Sequence, residues 1–132
     1  MTDSEIKKAL DQTPLIELAD ARPPEFSDES LAQKFARIYE NELRYIAPWS
    51  RWLTWEGMRW KPDDTLAAFD RARAVCRSVA ADAEKENIKR TLASAKTVAA
   101  VERLAKADRR IAATVDQFDN DPELFNTAWG KP

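Results

Sequence analysis

A tryptophan-rich segment is the part of this 132-residue sequence whose residue types and spacing could do chemistry. Four of the five tryptophans fall within Trp49–Trp60, and they are interleaved with Arg51, Arg59 and Lys61. An exposed indole can stack on a nucleic-acid base while neighbouring cations hold the phosphate backbone. The segment is therefore a candidate contact surface for a nucleic acid, or for a protein that covers the indole.

Alternation within this segment predicts a β-hairpin over about residues 51–61. A two-residue turn at Glu56-Gly57 would pair Trp55 with Met58. Because side chains alternate along a strand, the hairpin has an apolar face and a basic face. The apolar face consists of Leu53, Trp55, Met58 and Trp60. The basic face consists of Trp52, Thr54, Arg59 and Lys61. We expect the apolar face to join the core and Trp52 to lie off it. An isolated hairpin is marginal in water, so this one must pack on a helix or pair with another strand.

A second group of cations lies towards the C-terminus. The segment 89–110 holds seven basic side chains against two acidic ones. Such a run could follow a phosphate backbone, although a charge run is more often the solvated face of a helix. The candidate contact residues are therefore Trp52, Arg51, Arg59 and Lys61 from the hairpin and Arg103, Lys106, Arg109 and Arg110 from this run.

The composition argues against an enzyme. The absence of histidine removes an imidazole base and an imidazole metal ligand. Two glycines, Gly57 and Gly130, cannot build a phosphate-binding loop of the Walker or dinucleotide type. The single cysteine, Cys76, cannot form an internal disulfide, and we expect it to be a buried, reduced thiol on a helix.

Two groups of carboxylates could suggest a metal ion. The first group consists of Asp116, Asp119, Asp121 and Glu123. It lacks the residue spacing of an EF-hand loop and is typical of a solvated turn before Pro122. The second, Asp63-Asp64, falls at a predicted helix start, where carboxylates serve as caps. The sequence therefore predicts no catalytic residue, no metal and no cofactor.

Charge and proline content divide the chain into two parts. The net charge is −2, but residues 1–30 hold three basic and eight acidic groups. Prolines interrupt this part, so residues 1–26 are predicted to be an acidic lead-in with a short helix over 4–10, and 27–132 to be a single domain. The N-terminus has no secretory signal pattern, and no stretch has the ~18 apolar residues of a membrane helix. These features predict a cytoplasmic protein without a membrane segment.

Helical spacing of apolar residues dominates the predicted domain. It predicts helices over 28–45, from Asp63 to about 85, and over 97–107 with Thr97 as its cap. Residues 111–115 could form a short strand. The expected fold class is α+β and mainly α: a helical cluster with one tryptophan-rich β-hairpin and a short C-terminal strand.

The order of these features resembles a known family. The relevant residues are the helix Leu31–Ile46, the motif Trp49-x-x-Trp52-Leu53-x-Trp55-x-Gly57-x-x-Trp60 with Asp63, and the end Phe118-Asp119-x-Asp121-Pro122-x-Leu124-Phe125-Asn126-Thr127. Over about residues 28–130 this succession resembles the accessory region upstream of the superfamily-3 helicase domain in phage and plasmid DNA primases. Satellite-phage alpha-type and poxvirus-type primase–helicases belong to that family.

The resemblance implies a function in mobile-element DNA replication. It implies a non-catalytic domain that positions DNA or a neighbouring domain for an ATPase/helicase downstream in the parent protein. The family's later Asp-Leu motif and Walker loop are absent here, so we expect a piece of a longer chain that is not an enzyme by itself. The alternative is a stand-alone protein–protein interaction module that binds no nucleic acid and docks on the ATPase or on a second copy.

Overall fold

The computed structural model describes residues 3–5 and 21–119, with the side chains of all of these except Asp119. Residues 3–5 are helical. The remainder of the helix predicted over 4–10, and most of the acidic lead-in, lie outside the described residues. The described part confirms an α+β, mainly helical fold with a small sheet.

Helix α1 spans Asp28–Tyr39 and is shorter than predicted. Ser27 caps it, since the hydroxyl oxygen accepts a 3.1 Å hydrogen bond from the Ser30 N–H. The predicted helical continuation to residue 45 is wrong, because Leu43–Ile46 form strand β1. Leu43 and Ile46 are three positions apart, which fits one helix face but puts them on opposite faces of a strand. Both are buried because both faces of the sheet are covered.

The sheet has four strands in the order β3-β2-β1-β4. Strand β2 is Arg51–Trp55, β3 is Trp60–Pro62 and β4 is Ala112–Ala113. The neighbours pair antiparallel except β1 and β4, which are parallel. A 3-10 turn, Ala47–Trp49, connects β1 to β2.

The predicted hairpin is present, but its turn is longer than expected. Trp55 pairs with Trp60 and not with Met58, so the loop has four residues. Gly57 has a φ of +98°, a left-handed conformation that side chains with a Cβ rarely adopt. The observed pairing of β2 with β3 is shifted by two positions from the predicted pairing. Because side chains repeat every two positions, each paired residue stays on its predicted face. Met58 is moved from a strand into the loop, where its side chain is 89% exposed.

Four helices follow the hairpin. They are α2 (Ala67–Asp82), α3 (Glu86–Leu92), α4 (Ala95–Ala105) and α5 (Val115–Asp119). The Asp63 carboxylate caps α2 by accepting hydrogen bonds of 2.9 Å from the N–H groups of Ala67 and Ala68. Ser94 caps α4 in place of the predicted Thr97, which is buried. Helix α4 packs against both α1 and α2 and so forms the centre of the helical layer.

Apolar side chains cover both faces of the sheet. On one face, here called the helix face, Leu43, Tyr45 and Trp52 join the main core with the buried residues of α1, α2 and α4. On the other, here called the outer face, Ile46 and Leu53 pack under Phe118, with Trp49 and Trp60 beside them. The hairpin face that was expected to lie away from the core therefore contributes Trp52 to the larger of the two clusters.

Candidate nucleic-acid interface

Trp52 is buried, so the prediction that it lies off the core is wrong. Its side chain is 9% exposed, and its indole Nε1 donates a 2.8 Å hydrogen bond to Oε2 of Glu102. The rings of Phe35 and Tyr45 approach it edge-on, with centroids at 6.0 and 5.2 Å. The ring is enclosed by the main core and is not presented to a base from solvent.

Two of the three cations of the hairpin share one carboxylate. Arg59 Nε lies 2.8 Å from Oε1 of Glu56, and Lys61 Nζ lies 3.5 Å from Oε2 of the same side chain. These two cations and one carboxylate leave the turn with one net positive charge. Arg51 is exposed at the start of β2 and pairs with Ile46 across the ladder, which puts it on the outer face.

The four basic residues predicted after residue 100 separate into three positions. Arg103 is exposed on α4. Lys106 is held by Glu102, with Nζ 3.6 Å from Oε1, and its Nζ lies 4.9 Å from the centre of the Tyr45 ring. Arg109 and Arg110 lie together in the loop between α4 and β4 and line a cleft.

This cleft has a volume of about 290 Å³ and opens beside the end of α1. We call it the arginine cleft, and its lining residues are Glu40, Asn41, Arg44, Arg109, Arg110, Ala112 and Gln117. The sequence analysis missed Arg44, because that residue was assigned to a helix. Leu43 and Tyr45 alternate with Arg44 and Ile46, and this period of two is the signal that could have revealed strand β1.

Arg44 is partly desolvated in the cleft. Its guanidinium donates hydrogen bonds to the main-chain carbonyls of Glu40 and Leu43, the latter at 2.8 Å, and lies 5.1 Å from the centre of the Trp60 ring. Burial lowers the pKa of Arg44, and the carboxylate of Glu40 opposes part of that effect. Burial deprives the guanidinium of part of its hydration, so binding of an anion that replaces the lost water is favourable.

The other two arginines differ in how fully they are paired. Arg110 binds Asp108 with two contacts, Nη2 to Oδ2 at 2.8 Å and Nε to Oδ1 at 2.9 Å. This hydrogen bonding lowers the pKa of Asp108 and raises that of Arg110. Arg109 donates to the carbonyl of Ala107, and it forms no ion pair with a carboxylate of the described residues. Arg44 likewise forms no ion pair with a described carboxylate, but Arg109 is the more exposed of the two.

The geometry suits the binding of an anion better than acid–base or metal chemistry. A guanidinium is planar and can donate two parallel hydrogen bonds to a phosphate. Within residues 3–5 and 21–119, no group of three metal-binding side chains is close enough to hold an ion. The side chains of Asp119, Asp121 and Glu123 lie outside the described residues. Cys76 is buried as predicted, and burial followed by the charge of Asp28 raises its pKa to about 11.

The indole of Trp55 reaches solvent, whereas that of Trp52 does not. It was expected to be a core residue, but its side chain is 39% exposed at the end of β2. Its ring lies 5.4 Å from that of Trp60, centroid to centroid. Trp55 and Trp60 both lie on the outer face, so no pattern in the sequence shows which of them is covered. Their contacts with β1 and Phe118 decide it.

The fold and the site define a small, mainly helical domain with an arginine-lined cleft. A family model described as "D5 N terminal like" matches residues 32–130, and the chain belongs to that family, the N-terminal region of D5-like primase–helicase proteins of phages and plasmids. This match confirms the resemblance found in the sequence. No curated protein and no solved structure matches the chain. None of the helices described has the length and apolar character needed to cross a membrane.

Proposed function

We propose that this chain is a non-catalytic accessory domain of a primase–helicase and that it positions DNA by its phosphate backbone at the arginine cleft. One observation carries the proposal: Arg44, Arg109 and Arg110 line the same small cleft. Phosphate contacts fix the register and orientation of a protein on DNA without reading its sequence. That is what an accessory domain needs in order to direct a strand to a helicase domain elsewhere in the parent protein.

The charges around the cleft support an anionic ligand. Three guanidinium groups line the cleft beside the carboxylate of Glu40, and Asp108 pairs with Arg110, so the whole group carries one net positive charge. Arg109 is exposed, so a phosphate can approach its guanidinium. The family adds the context of DNA replication in phages and plasmids.

A binding titration with matched variants tests this role. Fluorescence anisotropy of a labelled oligonucleotide at low salt would compare the wild-type chain with Arg109→Ala and Arg110→Gln. Arg77→Ala is the control, because Arg77 is an exposed arginine of α2 that does not line the cleft. We expect both cleft variants to weaken binding and to reduce the slope of log K against log salt by about 0.7–0.9 for each lost phosphate contact.

Two results would contradict the proposal. Wild-type chain that binds no DNA at low salt would remove the nucleic-acid function altogether. Equal losses in Arg77→Ala and the cleft variants would show that binding depends on overall charge and not on the cleft.

A second candidate function is protein–protein interaction through the hairpin turn. The observation in its favour is the exposed apolar surface of Met58 and Trp55. Exposed aromatic and methionine side chains are enriched in protein interfaces. Sedimentation of the wild-type chain and of Met58→Ser, with and without DNA, would detect it as self-association that the variant loses and that DNA does not affect.

A further inference from the structure

We propose that the DNA held by this domain is single-stranded, with one base stacked on the indole of Trp55 while a phosphate a few nucleotides along the same strand lies in the arginine cleft. This inference rests on the proposed function and names the strand form of its ligand. It depends on three features of the outer face: an exposed ring, a continuous path from that ring to the cleft, and favourable charge along the path.

The Trp55 ring is exposed and lies against the ring of Trp60, on a main chain that is anchored on both sides. Its main-chain N–H donates a 2.9 Å hydrogen bond to the carbonyl of Glu42, which anchors the end of β2 to the start of β1. Its ring is tilted by 57° against that of Trp60 at 5.4 Å. A platform held in this way loses little conformational freedom when a base stacks on it.

The path from the ring to the cleft is short. Trp60 contacts Trp55 on one side and the Arg44 guanidinium on the other, at 5.4 and 5.1 Å. The ladder pairs Trp55 with Trp60 and Leu53 with Arg44, so these side chains share the outer face. Phosphates of a stacked strand are about 3.4 Å apart along the axis. A strand of about three nucleotides is therefore long enough to reach from the indole past Trp60 to the Arg44 guanidinium.

The charges along this path do not repel a strand. Two acidic residues lie next to Trp55: Glu56, with which Arg59 and Lys61 both pair, and Glu42, whose carboxylate lies 4.0 Å from Nε of Arg71. Arg51 adds another cation on the outer face. An apolar protein partner would gain nothing from these cations, whereas a polyanion with aromatic bases satisfies the ring and the arginines together.

The exposed ring distinguishes the two strand forms. In a duplex the base faces are stacked on one another, and only the base edges are available in the grooves. A single strand offers its base faces to aromatic side chains. The cleft can hold a phosphate of either form, but Trp55 contributes only to a single strand.

The experiment measures the affinities of the full chain for three labelled ligands of equal length: an oligothymidylate of about 12 nucleotides, the matching duplex, and a single strand with abasic sites. The variants are Trp55→Leu, Trp55→Phe and Arg109→Ala, each checked by urea denaturation. We expect Trp55→Leu to weaken oligothymidylate binding by about 5- to 150-fold and to leave duplex and abasic affinities unchanged. Trp55→Phe should restore most of the loss, and Arg109→Ala should weaken all three.

The outcomes separate the two proposals. Trp55→Leu variants that bind oligothymidylate as the wild type does, or that lose affinity for all three ligands equally, overturn the stacking inference and leave the cleft function standing. The stacking inference is also overturned if Trp55→Leu weakens binding of the abasic strand as much as it weakens binding of oligothymidylate. An Arg109→Ala variant with unchanged affinity for every ligand overturns the proposed function itself.

Discussion

The indole Nε1 of Trp52 donates a 2.8 Å hydrogen bond to Oε2 of Glu102, and this contact ties strand β2 to helix α4 across 50 positions of sequence. The other oxygen of Glu102 lies 3.6 Å from Nζ of Lys106. Since α4 also packs on α1 and α2, the hydrogen bond sets how the sheet lies against the whole helical layer. A tryptophan and a lysine that the sequence suggested for DNA contact thus belong to one structural network.

Removal of the Glu102 carboxylate should destabilise the fold. Glu102→Ala leaves a buried indole N–H without its partner, and we expect the free energy of unfolding to fall by about 1.5–3 kcal/mol. Glu84 is an exposed glutamate outside the helices, so Glu84→Ala should change the free energy of unfolding by no more than about 0.5 kcal/mol. Urea denaturation measures both, and a double-mutant cycle with Trp52→Phe isolates the pair. A coupling energy near zero would show that the hydrogen bond contributes nothing.

The capping carboxylate of α2 gives a matched pair of variants. Asp63 accepts hydrogen bonds from two N–H groups of the first turn, so Asp63→Ala should lower the free energy of unfolding by about 1–2 kcal/mol. Its exposed neighbour Asp64 should tolerate the same change within about 0.5 kcal/mol. Thermal or urea denaturation distinguishes them, and equal losses would mean that the cap has been assigned to the wrong residue.

The ion pair beside the cleft should make stability depend on pH. Arg110 lowers the pKa of Asp108 in the folded chain below its ordinary value of 3.8. The unfolded chain then binds the proton more readily, so the contribution of Asp108 is fully present above that value and is lost as the pH falls below it. Asp108→Asn should therefore destabilise the chain at pH 7, and the difference from wild type should shrink towards pH 2. A difference that is the same at both pH values would contradict this assignment.

The single cysteine should be unreactive while the chain is folded. Cys76 is fully buried, and its pKa of about 11 keeps it protonated at pH 8, whereas the thiolate is the reactive form. We expect slow labelling by a thiol reagent in buffer and rapid labelling in concentrated urea. Ser78 lies exposed on the same helix, so a Ser78→Cys variant serves as the positive control. Fast labelling of native Cys76 would show that α2 opens locally.

Short-range signals predicted much of the fold. Ser27 and Asp63 cap helices where the sequence placed caps, and the apolar stripe with Val98 and Val101 is buried as the helical period requires. Gly57 lies in the hairpin turn, as expected, because its left-handed φ suits glycine. Caps and turns depend on residues close together in the sequence, and the helical period places the apolar stripe on one face, so local patterns are enough to predict these features.

The candidate site was predicted only in part. Arg109 and Arg110 were expected to contact a ligand and do line the cleft, but Arg44 was hidden by an apolar spacing that fits a helix as well as a strand. Strand β1 forms because β2 and β4 supply its hydrogen-bonding partners, and β4 is more than 60 residues away. The local alternation in residues 43–46 is short, so it could not by itself decide between a strand and the end of a helix.

The sequence by itself determined the family, the caps at Ser27 and Asp63, the hairpin and the two groups of cations. Only the tertiary structure decided which tryptophan is buried and which reaches solvent. Trp52 and Trp55 differ by three positions and alternate between the two faces of β2, so their exposure depends on what covers each face. Helices α1 and α4 enclose Trp52 on the helix face, whereas Phe118 covers the outer face only as far as Trp60 and leaves Trp55 exposed.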